Sequence, residues 1–288
     1  IDEKIIMMEN IRFYFEEESN DHEFAKKLAS FADIYVNDAF SCSHRKQASV
    51  HNITKFVKKS FAGPLLKKEI TAINLIIKKK KDPVTCIIGG SKISTKIKVI
   101  TNLITKVNNL IIVGAMANNF FVYKNFRVGK SLVEKDTKNI IKEIYKNAEA
   151  NNCEILIPDD CVVGTDFEGK GRNKNLDEVK DDEIILDIGE NTIKNIKKKI
   201  ELSNTVLWNG PAGYFENKNY LKGSLSIAEN ISENTIKKSL ISILGGGDTL
   251  AAINKSKTKL SFSHLSTAGG AFLEYLEGKD LPGISVLK

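Results

Sequence analysis

Leu240-Ile-Ser-Ile-Leu-Gly-Gly-Gly-Asp-Thr-Leu-Ala-Ala-Ile253 is the stretch on which the reading of this chain turns. A short apolar run, partly β-branched, ends in Gly245, Gly246 and Gly247. Asp248 and Thr249 follow, and after them a helix-like Leu250-Ala251-Ala252-Ile253. That is the grammar of a strand, a tight turn and a helix N-terminus. Glycine lets backbone approach a ligand closely, and the free N–H groups at the positive end of a helix suit a phosphate. Asp248 is then placed to hold a Mg²⁺ riding on that phosphate. The plain alternative is that Asp248 or Thr249 only caps the helix.

The same grammar recurs upstream. Val84-Thr-Cys-Ile-Ile88 runs into Gly89-Gly90-Ser91-Lys92 and a helix with Lys96. Leu110–Val113 runs into Gly114-Ala115-Met116, and Glu154–Ile157 into Pro158-Asp159-Asp160. Ile184-Ile-Leu186 runs into Asp187-Ile188-Gly189, and Thr205-Val-Leu-Trp208 into Asn209-Gly210-Pro211-Ala212-Gly213. Short continuous apolar strands alternating with helices predict an α/β fold with a parallel sheet covered on both faces. In such a sheet the carboxyl ends of the strands share one ligand-binding crevice, and the glycine-bearing loops point to a nucleotide. Lys92 and Lys96 are read at one helix start, four apart and on one face, where an anion would relieve their repulsion.

Towards the amino end, Ile5-Ile-Met-Met8 reads as a buried strand, residues 21–32 as a helix, and Ile34-Tyr35-Val36 as a second strand. Arg12 follows the first strand and Arg45 the second, a pair suited to an anionic substrate; a surface salt bridge for each is the plain alternative. Pro64 opens an amphipathic helix over roughly residues 65–79, a candidate connector that Asp82-Pro83 stops. Lys78–Lys81 reads as the solvated end of that helix.

A chain of 288 residues is long enough for two lobes. No apolar run has transmembrane length and no signal peptide is evident, so no membrane is expected as a partner; a cytoplasmic setting is read from the cysteines below. The start, Ile1-Asp2-Glu3-Lys4, reads as a chain beginning mid-protein. Cys42, Cys86, Cys153 and Cys161 show no Cys-x-x-Cys spacing and suggest reduced thiols. The formal charge of +7 is spread through Lys- and Asn-rich helices without interleaved aromatics, so nucleic acid is set aside. Gly129-Lys130-Ser131 resembles a P-loop ending but has Lys124 where glycine is required. His22, His44, His51 and His264 lack metal-ligand spacing, Asp159-Asp160 reads as turn or cap, and Gly169-Lys-Gly-Arg172 as an exposed loop.

Gly89-Gly-Ser-Lys-Ile-Ser-Thr-Lys96, Trp208-Asn-Gly-Pro-Ala-Gly-Tyr-Phe-Glu216, Gly245-Gly-Gly-Asp-Thr249 and Ser263–Glu274 resemble, in this order, the signatures of the phosphoglycerate kinases. Glu9-Asn-Ile-Arg-Phe13, Val36–Phe40 with His44-Arg45, and Leu276–Gly283 resemble further family segments. The resemblance implies two Rossmann-like lobes with hinge closure, the amino lobe incomplete, and reversible phosphoryl transfer from 1,3-bisphosphoglycerate to ADP in a monomer. It implies residues 1–62 as the amino, glycerate-binding lobe, 63–81 as the connector helix and 82–265 as the nucleotide lobe. Residues 266–288 would return to the amino lobe. By the match, Lys92 would stabilise the transferring group, Lys96 would hold nucleotide phosphate, and backbone N–H groups at Gly245–Gly247, Gly269 and Gly270 would donate. Asp248 would hold Mg²⁺ beside Thr249. Gly114, Gly189, Asn209 and Gly210 would border adenosine, with Glu216 on the ribose, while Arg12 and Arg45 would clamp the glycerate phosphate. The family's opening segment is expected to be missing, which keeps a non-catalytic nucleotide-binding protein as the alternative. Thr95, Val113, Ala115 and Ala268 depart from the family pattern.

Overall fold

The computed structural model describes residues 5–77 and 81–287. The chain divides into two compact units, one of residues 1–71 with 278–288 and one of residues 72–277. In the first unit, β1 (Ile34–Asn37) and β2 (Lys59–Ala62) pair in parallel. The helix His22–Ala29 is capped by Asp21, whose carboxylate accepts from Phe24 N at 2.7 Å. Ala25, Leu28, Phe40, Ala48 and Val50 make a small core. The C-terminal residues join it: Asn37 Nδ2 donates to Gly283 O at 2.8 Å, and Gly283 N donates to Ser43 O at 2.8 Å.

The expected strand at Ile5–Met8 does not form, and all four side chains are exposed. An apolar run becomes a strand only when a neighbour takes its backbone hydrogen bonds, and neither β1 nor β2 pairs with it. The helix Pro64–Ile77 begins at its proline, as read, and Asp38 accepts from Leu66 N at 2.9 Å near its start. Leu66, Ile73 and Ile76 are fully buried, whereas Leu65 points outward. Of the lysine run 78–81, residues 78–80 lie outside the described residues.

The second unit contains β3 (Val84–Ile88), β4 (Asn109–Ile112), β5 (Glu154–Leu156), β6 (Asp160–Gly164), β7 (Arg172–Asn175), β8 (Ile184–Ile188), β9 (Thr205–Asn209), β10 (Ile241–Gly245) and β11 (His264–Ser266). Among the described residues, six of these form one parallel sheet in the order β11-β10-β9-β3-β4-β5. Register places Ile111, Ile87, Trp208 and Leu244 in one row. That row packs with Ile196, Ile200, Ile227 and Ile231 from the helices Glu190–Glu201 and Lys222–Lys238. The alternate residues Cys86, Ile88, Leu110, Leu207 and Ile243 are equally buried, so both faces are covered, as the unbroken apolar runs require. Each such side chain contributes about 1.5–3 kcal/mol by leaving water.

One strand joins a different sheet. Ile184–Ile188 pairs antiparallel with β6, which also pairs antiparallel with β7. Residues 165–171 between β6 and β7 are too few for a parallel crossover, so the chain turns back on itself. The sequence also placed a loop where Arg172 opens β7, because Arg-Asn-Lys-Asn carries no apolar period. Its charge is balanced by Glu183, 1% exposed, which accepts from Arg172 Nη2 at 3.0 Å and Lys174 Nζ at 2.9 Å.

Candidate nucleotide site

The strand order reverses between β3 and β9, the place where an α/β sheet opens a crevice at its carboxyl edge. Here the loops close on each other backbone to backbone. Gly89 N donates to Asn209 O at 2.8 Å. A Cβ on Gly210 would lie 2.2 Å from Gly89 O, and one on Gly114 would lie 2.8 Å from Gly90 N. These glycines are therefore needed for loop against loop. Gly189 packs on the Asp160 carboxylate and Gly245 on the Phe272 ring. Gly247 and Gly269 differ, since nothing lies within 4 Å of a Cβ at either. Gly247 opens the helix Gly247–Ile253, and Gly269 is the N-cap of the helix Gly270–Leu276.

Neither helix start has a side-chain cap. Thr249 is buried, accepting from Gly210 N at 2.7 Å and donating to Gly245 O at 3.0 Å. Its hydroxyl braces the turn. Asp248 instead lines a cavity of about 510 Å³. The helix-cap alternative for these two residues is thereby removed.

Asn209, 2% exposed, donates from Nδ2 to Gly245 O at 2.6 Å and accepts at Oδ1 from the Lys96 ammonium. Its amide thus ties Lys96 to the turn after β10. Burial pushes the Lys96 ammonium below the usual lysine range, with Cys86 and Asp248 pulling it back up. The helix expected to carry both lysines starts only at Ile97, so Lys96 is its N-cap and Lys92 lies in the preceding loop. Their common helical face is therefore corrected. The tight turn closed by Lys96 N donating to Ile93 O at 2.8 Å delays the helix.

The cavity is lined by Gly90, Gly114, Asp187, Pro211, Glu216 and Asp248, and further along by Phe121, Lys130, Leu132, Cys161 and Phe167. None of the last group is marked as a site by its local sequence: Phe121 reads as an ordinary core residue, Lys130 and Leu132 adjoin the rejected P-loop ending, Cys161 reads as a reduced thiol, and Phe167 precedes the Gly169–Arg172 loop. Asp187, 3% exposed, accepts from Gly223 N at 2.8 Å and Ile188 N at 2.9 Å. Burial pushes its carboxyl up to about 7, against the pull of those N–H groups and Lys222. Asp160 fits its reading as a cap, accepting from Asn191 N at 2.9 Å and Thr192 N at 2.8 Å. No group of three or more His, Cys, Asp or Glu suited to a metal occurs among the described residues. In the first unit Arg12 and Arg45 are exposed, and both act electrostatically on the Cys42 thiol.

A family model described as phosphoglycerate kinase matches residues 1–279. The chain belongs to the phosphoglycerate kinase family. It is 44% identical over 286 residues to a phosphoglycerate kinase of Wolbachia pipientis wMel, covering 99% of this chain and 72% of the relative. It is 44% identical over 287 residues to that of Xanthobacter flavus, with the same coverage. The solved phosphoglycerate kinase of Coxiella burnetii superposes with a TM-score of 0.90 at 39% identity, over 96% of this chain and 71% of that one. That of Pyrococcus horikoshii OT3 gives 0.80 at 28% identity, with the same coverage.

Proposed function

We propose that this chain transfers a phosphoryl group between the acyl phosphate of 1,3-bisphosphoglycerate and ADP, giving 3-phosphoglycerate and ATP. The observation that carries the reading is the convergence of Lys96, Asp248 and two uncapped glycine helix starts on the carboxyl edge of the sheet. Such a transfer asks for in-line positioning and charge neutralisation and for little covalent help. A terminal oxygen of ADP attacks phosphorus, the bond from phosphorus to the acyl oxygen breaks, and the carboxylate leaves.

In this reading the second unit holds the nucleotide. Lys96, fixed by Asn209, neutralises its phosphates, and Lys92 meets the group in transfer. The N–H groups at Gly247 and at Gly269–Gly270 supply preorganised donors, and a side chain at Gly247 or Gly269 would obstruct only the ligand. Gly114 and Glu216 border the sugar and base. Mg²⁺ fits beside Asp248, a hard oxygen ligand next to phosphate oxygens, and when bound it neutralises phosphate charge. Arg12 and Arg45 of the first unit take the glycerate phosphate; neither has an ion-pair partner among the described residues. We assign the chain to the cytoplasm and to a monomeric state.

The test is calorimetric titration with MgADP together with a turnover assay, on the chain and on Lys96→Ala and Asp248→Ala. Each substitution should weaken binding by roughly ten- to a hundredfold, the range of a charge-assisted contact. A folded chain that binds no MgADP, or variants that bind as tightly as the parent, would overturn the reading.

A further inference from the structure

Two lysines leave the loop after β3, and the structure fastens them differently. Lys96 is held through its ammonium by Asn209. Lys92 is exposed, and among the described residues only its backbone is tied, Thr95 Oγ1 donating to Lys92 O at 2.9 Å. What fixes this part of the loop comes from elsewhere in the chain. The Glu134 carboxylate accepts from Ser94 Oγ at 2.5 Å and from Ser94 N at 3.2 Å. Burial would raise the Glu134 carboxyl, but these bonds and the nearby Lys92 charge hold it below the usual range.

Glu134 is itself anchored. Its N–H donates to Asn119 Oδ1 at 2.9 Å, and Asn119, 1% exposed, donates from Nδ2 to Met116 O at 3.1 Å. Met116 N donates to Gly90 O at 3.0 Å. The bonds thus run from the glycine loop through the turn after β4 to Glu134, and back to the residues beside Lys92. A lysine on a flexible four-carbon stem places its charge only as well as its backbone and electrostatic surroundings allow.

We propose that Glu134 is a positioning residue, which sets where Lys92 presents its ammonium to the terminal phosphoryl group of the nucleotide. The proposal rests on the reading of the cavity as the kinase's nucleotide site. It separates Glu134 from a group that merely stiffens a loop, because its effect must pass through Lys92 and through the phosphate that Lys92 meets.

The experiment is a double-mutant cycle on the full chain with Glu134→Gln, Lys92→Ala and the pair, titrated calorimetrically with MgATP and with MgADP. Thermal melting is measured alongside. Glu134→Gln should weaken MgATP by about five- to tenfold, leave MgADP within about twofold, and have no further effect once Lys92 is alanine. Ser94→Ala, which keeps the carboxylate and removes one donor to it, should show the same ATP-selective loss at smaller size. Equal losses for both nucleotides, or a Glu134→Gln effect that persists in the Lys92→Ala background, would overturn the proposal. If Glu134→Gln melts early, Ser94→Ala decides the matter by the same selectivity. A parent chain that binds neither nucleotide removes the site reading itself. A parent that binds both, with a Glu134→Gln variant that matches it, removes only the role of Glu134.

Discussion

Asp187 offers a stability prediction whose sign follows from its surroundings. The carboxyl is buried between β8 and the start of the helix Lys222–Lys238, and burial holds its pKa at about 7 against 3.8 in an exposed chain. Because the folded value is the higher one, its stability contribution is complete below the unfolded value and is lost as pH rises through the folded one. The whole span is about 4 kcal/mol, and about 2–3 kcal/mol of it disappears between pH 5 and pH 8. The variant is Asp187→Asn, which cannot titrate. Its amide leaves one backbone N–H facing an NH₂, a cost that does not depend on pH. Trp208, fully buried in β9 and the single tryptophan of the chain, reports unfolding of this unit by its emission. Urea titrations across the pH range should show the parent losing about 2–3 kcal/mol relative to Asp187→Asn from pH 5 to pH 8, or about 4–12 °C in melting temperature. Parallel stability curves for the two proteins would refute the argument.

Three further substitutions test the glycine and cap assignments. Gly247→Ala should leave the melting temperature within about 2 °C, since nothing lies within 4 Å of the new methyl, while MgADP affinity falls about tenfold. Gly210→Ala, by contrast, puts a methyl 2.2 Å from Gly89 O at a φ of +95°, and denaturant titration should record a loss of about 2–3 kcal/mol. Asp160→Ala strips the partner from the N–H groups of Asn191 and Thr192 and should cost about 2–3 kcal/mol at neutral pH. Burial would raise the Asp160 carboxyl, but these bonds bring it below the usual range, so the contribution fades in acid and parent and variant should converge there.

The parallel sheet was legible because its strands are buried on both faces and therefore read as unbroken apolar runs from Val84 to Ile88 and from Thr205 to Trp208. Periodicity says nothing about partners, so Ile184–Leu186 looked like another member of that sheet and is instead antiparallel beside β6. Polar β7 was invisible for the converse reason. Ile5–Met8 shows that an apolar run alone does not specify a strand. At the site, glycine marked the right loops for mixed reasons: Gly89, Gly114 and Gly210 serve the contact of loop with loop, and Gly247 and Gly269 leave room beyond the protein. Lys92 and Lys96 were found as residues but misplaced as a helical pair, since a tight turn separates them. Glu134 and Asp187 act through partners 40 and 36 residues away, Ser94 and Gly223, a relation no local pattern encodes.

The seam where Gly89, Gly114 and Gly210 meet is made of peptide groups, and every residue shares the same peptide group. Selection has no side chain there to exchange, so this end of the cavity resists gradual remodelling. Any single replacement is a clash, not an adjustment. The far end, walled by Phe121, Leu132 and Phe167, has the opposite character, because one methylene more or less alters its outline. If the cavity holds the nucleotide as proposed, adaptation to a different nucleoside would start in that apolar wall, while the glycine seam stays as it is.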